Sequence, residues 1–332
     1  MESYLPSVYK IICRNAWKKV SMNFKKIIKT AGNIIMIAAL AFVVKKLLDM
    51  DISPSQFKSG RVISSFVIGC IVQTVIIIFS CIPWLVFTQS LSGRKIPFSA
   101  AMPVYTQSNI YKYLPGNVFQ YVGRNKLAAD MNISHVDVAC ATVLDILFCV
   151  FWTGIISVIL LGSKIAELMG KYGRNLLIVG AVGIVLMIVM IFLIRFKFRE
   201  KLASYISRYS KAFEKENRPT LMKGIFYYLL QNSVSAVMYF ICLMLIVGSD
   251  ASTKEFVTLT GAFMFAWIIG FVTPGAPGGI GIREGVMLFV CGNSFSDKIV
   301  LYVLVMRLSS VFADVAAFAI GKIYAGKKVD DN

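Results

Sequence analysis

Apolar residues run through this chain in blocks too long for the core helices of a soluble domain. A helix needs about 20 mainly apolar residues to cross the hydrocarbon of a bilayer. Seven stretches meet or approach that length: 31–48, 62–87, 136–161, 176–194, 225–247, 256–272 and 299–320. An eighth, 280–291, is short, and a Gly-rich break before it would have to complete it. The pattern predicts an all-α polytopic integral membrane protein of about seven to eight transmembrane helices. Ahead of the first block, Val8, Ile12, Val20, Phe24 and Ile27 recur at helical spacing, with Lys10, Arg14, Lys18, Lys25 and Lys29 on an adjoining face. That is the pattern of a basic amphipathic helix lying on an anionic leaflet. The charged region is long and no small-residue cleavage pattern follows it, so a retained N-terminus is expected rather than a signal peptide.

The polar interruptions carry the chemistry. Residues 273–285 read T-P-G-A-P-G-G-I-G-I-R-E-G. Pro274 and Pro277 remove backbone donors and Gly275, Gly278 and Gly279 loosen the backbone, so a helix entering here must break. Broken backbone at membrane depth is tolerated only where protein or a watery cavity satisfies its polar groups. A plain turn between two spans is the alternative. Arg283 favours the broken helix of re-entrant type, because an arginine beside such a break is costly in lipid and is usually employed. Residues 111–124 read Y-K-Y-L-P-G-N-V-F-Q-Y-V-G-R, so Pro115-Gly116 precedes Arg124 by the same seven-residue gap that separates Pro274-Gly275 from Arg283. Two P-G-x7-R elements, one in each half, read as an internal repeat around a central site, with coincidence of a short motif as the alternative.

Within the spans the ionisable residues are few. Asp145 lies in the third, Glu284 follows Arg283, and Arg307 and Asp314 lie seven apart on one face of the last. Each is expensive in hydrocarbon and should face the bundle interior or a cavity. The expectation is that Asp145 or Asp314 pairs with Arg307 or Arg283, in a structural or a substrate or proton role. Gln231, Asn232, Ser233 and Ser235 give the fifth span a polar patch of the kind that glues helices.

Composition agrees: hydrophobic residues make up 57% of the chain and its mean hydropathy is +0.72, which excludes a soluble globular domain. The formal charge of +18 is concentrated before the first span and between the fourth and fifth, where Arg195, Lys197, Arg199, Lys201, Arg208, Lys211, Lys215, Arg218 and Lys223 cluster. Both regions are expected in the cytoplasm by the positive-inside rule, and residues 89–134 must then leave and re-enter on one side. No folded soluble domain remains to bind nucleic acid. The expected organisation is a basic cytoplasmic arm over 1–30, a membrane half over 31–194, a basic linker over 195–223, a second half over 224–321 and a tail over 322–332. The seven cysteines show no C-x-x-C spacing, and His135 is the only histidine, so no metal site is expected. The chain has no phosphate loop and no H-E-x-x-H motif. No catalytic residue is assigned and no cofactor is expected.

P-G-G-I-G-I-R-E-G at 277–285, together with L-P-G-N-V-F-Q-Y-V-G-R at 114–124, resembles the transmembrane region of lysylphosphatidylglycerol synthase, the bacterial multiple peptide resistance factor family with its flippase-like relatives. The likeness covers most of the chain in order and spacing. It implies a bacterial cell membrane protein that moves aminoacylated phosphatidylglycerol between leaflets in antimicrobial peptide resistance, a separate cytoplasmic domain transferring lysine from charged tRNA to the lipid. The chain stops at Asn332, soon after the last span, so that domain and its lysyltransferase activity are not expected here. The third span departs from the family pattern of Glu-Arg and then Asp on one helix: Asp145 is followed by Ile146, and the next turn offers Cys149. This leaves open whether the same cationic lipid is handled.

The reading that follows is a flippase-like translocator of phosphatidylglycerol, its aminoacylated form or a polyprenyl-phosphate-linked lipid. Arg124 and Arg283 would hold the phosphate, because a guanidinium binds two phosphate oxygens at once. They are expected to face a common cavity flanked by Tyr113, Phe119 and Tyr121. Two other classes compete: a phosphatidylglycerol lysyltransferase family member, and a non-transporting subunit of a separate synthase or glycosyltransferase. The expected partners are membrane phospholipid and an anionic lipid surface, without nucleic acid.

Overall fold

The computed structural model describes residues 58–113, 119–162, 164–171, 173, 210, 214–272, 282–291 and 296–330. The amphipathic arm, the expected spans 31–48 and 176–194, most of the basic linker and the helix-breaking residues Pro115, Gly116, Pro274, Gly275, Pro277, Gly278 and Gly279 lie outside the described residues.

Every regular element among the described residues is helical. In chain order they are α1 (Gly60–Phe79), α2 (Cys81–Ser92), α3 (Phe98–Asn109), α4 (Phe119–Ala128), α5 (His135–Leu161), α6 (Arg218–Val247), α7 (Thr253–Val272), α8 (Ile282–Cys291) and α9 (Ser296–Asp330), with short 3-10 turns at Ile110–Tyr113 and Ala129–Met131. Five stretches among the described residues are long and apolar enough to cross a membrane: Gly60–Ser92, His135–Leu161, Arg218–Asp250, Thr253–Phe271 and Asp297–Ala325. Each contains or overlaps a block expected from hydropathy. The sequence of α9 runs on as helix to Asp330, through most of the expected tail, and α6 starts at Arg218, inside the end of the expected linker.

Local signals set the ends. Ser134 caps α5, its side chain accepting from the Val136 amide. Ser252 and Glu255 bond reciprocally at the start of α7, the Glu255 carboxylate taking the Ser252 amide and the Ser252 hydroxyl the Glu255 amide, which satisfies two donors left over at a helix start. One side of α1 is open: Ile63, Val67, Ile71, Val75 and Phe79, every fourth residue, are exposed, while Val62, Ser65 and Gly69 are buried. An apolar stripe without partners among the described residues suits lipid.

Two apolar cores hold the helices. One joins α1, α6, α7, α8 and α9 through Val62, Met238, Phe263, Met287 and Tyr302. The other joins α2, α3, α5 and the start of α6 through Trp84, Phe87, Tyr105, Leu144 and Tyr228. Polar contacts fix the directions. Ser65 Oγ donates to the Cys242 carbonyl at 3.3 Å and Ser80 Oγ to Gln231 Oε1 at 3.0 Å, so α6 runs antiparallel to α1 and α2. Thr153 Oγ1 donates to Asn232 Oδ1 at 2.6 Å. The polar patch of the fifth span therefore joins helices, as its sequence suggested. With 12 residues, α3 reaches only about 18 Å, short of the roughly 30 Å hydrocarbon. It packs on α9 and α4, so it sits among the spans without crossing on its own.

Candidate functional site

Two charged clusters lie inside the bundle. In the first, α4 carries Arg124, which is 2% exposed, towards α5. Its Nη1 lies 2.9 Å from Asp145 Oδ2, its Nε donates to Ser108 Oγ at 3.3 Å, and the Tyr105 ring lies 3.8 Å from the guanidinium carbon. The Trp84 ring lies on it as well, at 5.6 Å. Asp145 also accepts from the Tyr105 hydroxyl at 3.3 Å and from the Tyr228 hydroxyl. This buried pair is thus surrounded by donors and rings, the condition under which such a pair is tolerated.

The second cluster is organised by one face of α9. Arg307, Ser310 and Asp314 follow at helical spacing i, i+3 and i+7 and so share a side. Arg307 Nη1 meets Glu284 Oε1 of α8 at 3.2 Å. Two turns on, the fully buried Asp314 carboxylate collects three donors from a single short segment: Asn109 Nδ2 at 2.7 Å, Lys112 Nζ at 2.7 Å and the Tyr113 hydroxyl at 2.5 Å. Ser310 lies between them on the same face, its Oγ donating to the Arg307 carbonyl at 3.0 Å. Arg283, beside Glu284, has Tyr239, Glu284 and Tyr113 as electrostatic neighbours. Its Nε is buried with no hydrogen-bond partner among the described residues, while the residue as a whole keeps some accessible surface.

This geometry corrects the expected pairing. Asp145 pairs with Arg124 and Asp314 with Lys112, while Arg307 pairs with Glu284. Residues seven apart on a helix are about 10 Å apart along its axis, so Arg307 and Asp314 each reach a crossing element instead of one another. Arg124 and Arg283 are gathered with different partners. Of the aromatic residues expected beside them, Tyr113 sits at the Arg283 cluster, Tyr121 is an electrostatic neighbour of Arg124, and Phe119 is 47% exposed.

The model of one protein family, described as the lysylphosphatidylglycerol synthase TM region, matches residues 30–317. The chain belongs to that family. No curated protein and no solved structure is significantly similar to it. As a member of the lysylphosphatidylglycerol synthase TM region family it is a multi-pass membrane protein, and the match takes in both charged clusters. Four participants escaped sequence reasoning. Lys112 and Asn109 stand just before the first Pro-Gly pair and were open to notice there, as polar residues flanking a break. Tyr105 and Tyr228 carry no local signal, since their role depends on three helices meeting at Asp145.

Proposed function

We propose that this protein binds an anionic phospholipid by its phosphate at Arg283 and carries it between leaflets. The lipid class is phosphatidylglycerol or its aminoacylated form, or a polyprenyl-phosphate-linked lipid, all of which present the same phosphate chemistry. The observation that carries this reading is the Arg283 guanidinium. Its Nε is buried without a hydrogen-bond partner among the described residues, and an unsatisfied buried donor costs about 1–3 kcal/mol unless something fills it. Glu284 and Arg307 form an ion pair beside it, so among the described residues two guanidinium groups share one carboxylate in this part of the cluster. A guanidinium holds two phosphate oxygens at once, which a lysine ammonium does not. In this reading Arg124, already engaged by Asp145, positions α4 while Arg283 takes the phosphate. The protein would sit in a bacterial plasma membrane with its N-terminus in the cytoplasm.

Leaflet-resolved labelling of phosphatidylglycerol and of its lysyl form, in vesicles reconstituted with the purified chain, tests the proposal. Wild type should speed transfer between leaflets, R283K should slow it at unchanged expression, and R283A should slow it further. Transfer no faster than in protein-free vesicles would leave a non-transporting subunit as the better reading.

A further inference from the structure

The segment Asn109–Tyr113 is fastened in an unusual way. Asn109, Lys112 and Tyr113 all end on one carboxylate, Asp314, whose side chain has no accessible surface. Three donors from five consecutive positions hold a single 3-10 turn against α9. The adjoining helix does not need them: α3 already seats on α9 so closely that a Cβ at Gly321 would stand 2.1 Å from Thr106 Oγ1. The clamp also sits at an opening, because the Lys112 side chain is 30% exposed. Tyr113 joins the two parts of the cluster. Its hydroxyl donates to Asp314, and Arg283 is among its electrostatic neighbours.

We propose that Ile110–Tyr113 is a strap over the Arg283 site, latched to α9 by Asp314, and that it releases when an anionic headgroup reaches the guanidinium. The inference rests on the phosphate-binding reading of Arg283. An anion arriving beside Tyr113 brings negative charge close to the Asp314 carboxylate that holds the phenol, and like charges disfavour that arrangement. The latch and the ligand therefore oppose each other. Lys112 stays within reach of the arriving anion, and its ammonium offsets part of the charge.

Ser310 reports on the strap, because it lies one turn before Asp314 on the same face of α9. In the full chain reconstituted in phosphatidylcholine vesicles, S310C should react slowly with a water-soluble maleimide, above the background of the protein without that cysteine. Adding Y113F, which keeps the ring and removes the hydroxyl, should raise the rate about fivefold, the equilibrium effect of one hydrogen bond. D314N should raise it further. Replacing part of the phosphatidylcholine with phosphatidylglycerol should also raise it, and R283A should remove that lipid effect. Unchanged labelling in Y113F and D314N at unchanged melting temperature would overturn the strap, and so would a fall in both melting temperature and labelling. If Y113F opens the site while the vesicles show no lipid transfer, the strap stands and the translocation reading falls. If transfer is seen and neither variant changes labelling, the reverse holds.

Discussion

The Arg124 guanidinium lies 2.9 Å from the Asp145 carboxylate across 21 residues of sequence, and this contact joins the short helix α4 to the long span α5. Tyr105 of α3 and Tyr228 of α6 complete the carboxylate's shell, so four helices depend on one buried charge. Removing one partner leaves the other charged and unpaired, which costs roughly 3–5 kcal/mol at buried sites. R124A and D145A should each lower the melting temperature of the detergent-solubilised protein and reduce its monodisperse yield. The double variant R124M/D145N, which removes both charges at similar volume, should be more stable than either single one. Additive losses in that cycle would show that the pair is not coupled.

Arg283 should behave in the opposite sense. Its Nε is buried without a hydrogen-bond partner among the described residues, and R283M removes that donor. The expected gain is about 1–3 kcal/mol, read as a higher melting temperature, together with loss of phosphatidylglycerol transfer. Stability rising as activity falls marks a group kept for function. A large fall in melting temperature would instead make Arg283 a structural residue.

These two arginines show what the sequence allowed and what it withheld. Spans were legible because hydrocarbon demands about 20 apolar residues in a row, and all five membrane-length stretches fall on such blocks. That Asp145, Arg307 and Asp314 turn inward was legible too, since charge in lipid is costly. Their partners were not. Arg124 and Arg283 stand in the same P-G-x7-R context, yet one is saturated and the other is not, because a carboxylate from α5 crosses the first at hydrogen-bonding distance. Partner choice depends on helix crossings between residues far apart in the chain, such as the 202 positions between Lys112 and Asp314, and no local pattern encodes those.

Gly321 should be the least replaceable residue of α9. A Cβ there would lie 2.1 Å from Thr106 Oγ1 and 3.3 Å from Thr106 Cβ, and the helices would have to part. Overpacking of this kind typically costs about 1–3 kcal/mol. G321A should therefore lower the melting temperature, and it should loosen α3 on α9 enough to raise maleimide labelling of S310C. Removing the obstructing hydroxyl in T106A/G321A should recover part of the loss, although Thr106 Oγ1 also donates to the Met102 carbonyl at 2.8 Å. No recovery in the double variant would place the cost elsewhere.

The direction of the spans gives the last prediction. Lys298 Nζ reaches the Val247 carbonyl at 3.0 Å, and the start of α9 therefore lies at the end of α6. Gly224 at the other end of α6 abuts Phe87 near the end of α2. The ends of α2 and α9 and the starts of α5 and α6 thus share one face of the membrane, and the starts of α1, α7 and α9 share the other. The first face gathers Arg94, Lys95, Lys126, Arg218, Lys223 and Lys322 and adjoins the basic 195–223 stretch. The second carries Asp250, Glu255, Asp297 and Glu167 among Lys58, Arg61, Lys164, Lys171, Lys254 and Lys298, so the basic excess of the first face rests on the 195–223 stretch. The positive-inside rule predicts that the first face is cytoplasmic. In intact cells a membrane-impermeant maleimide should label S249C, in the turn after α6, and should leave S210C unlabelled until the cells are opened. Labelling of S210C from outside would invert the whole arrangement, and with it the leaflet from which a lipid reaches Arg283.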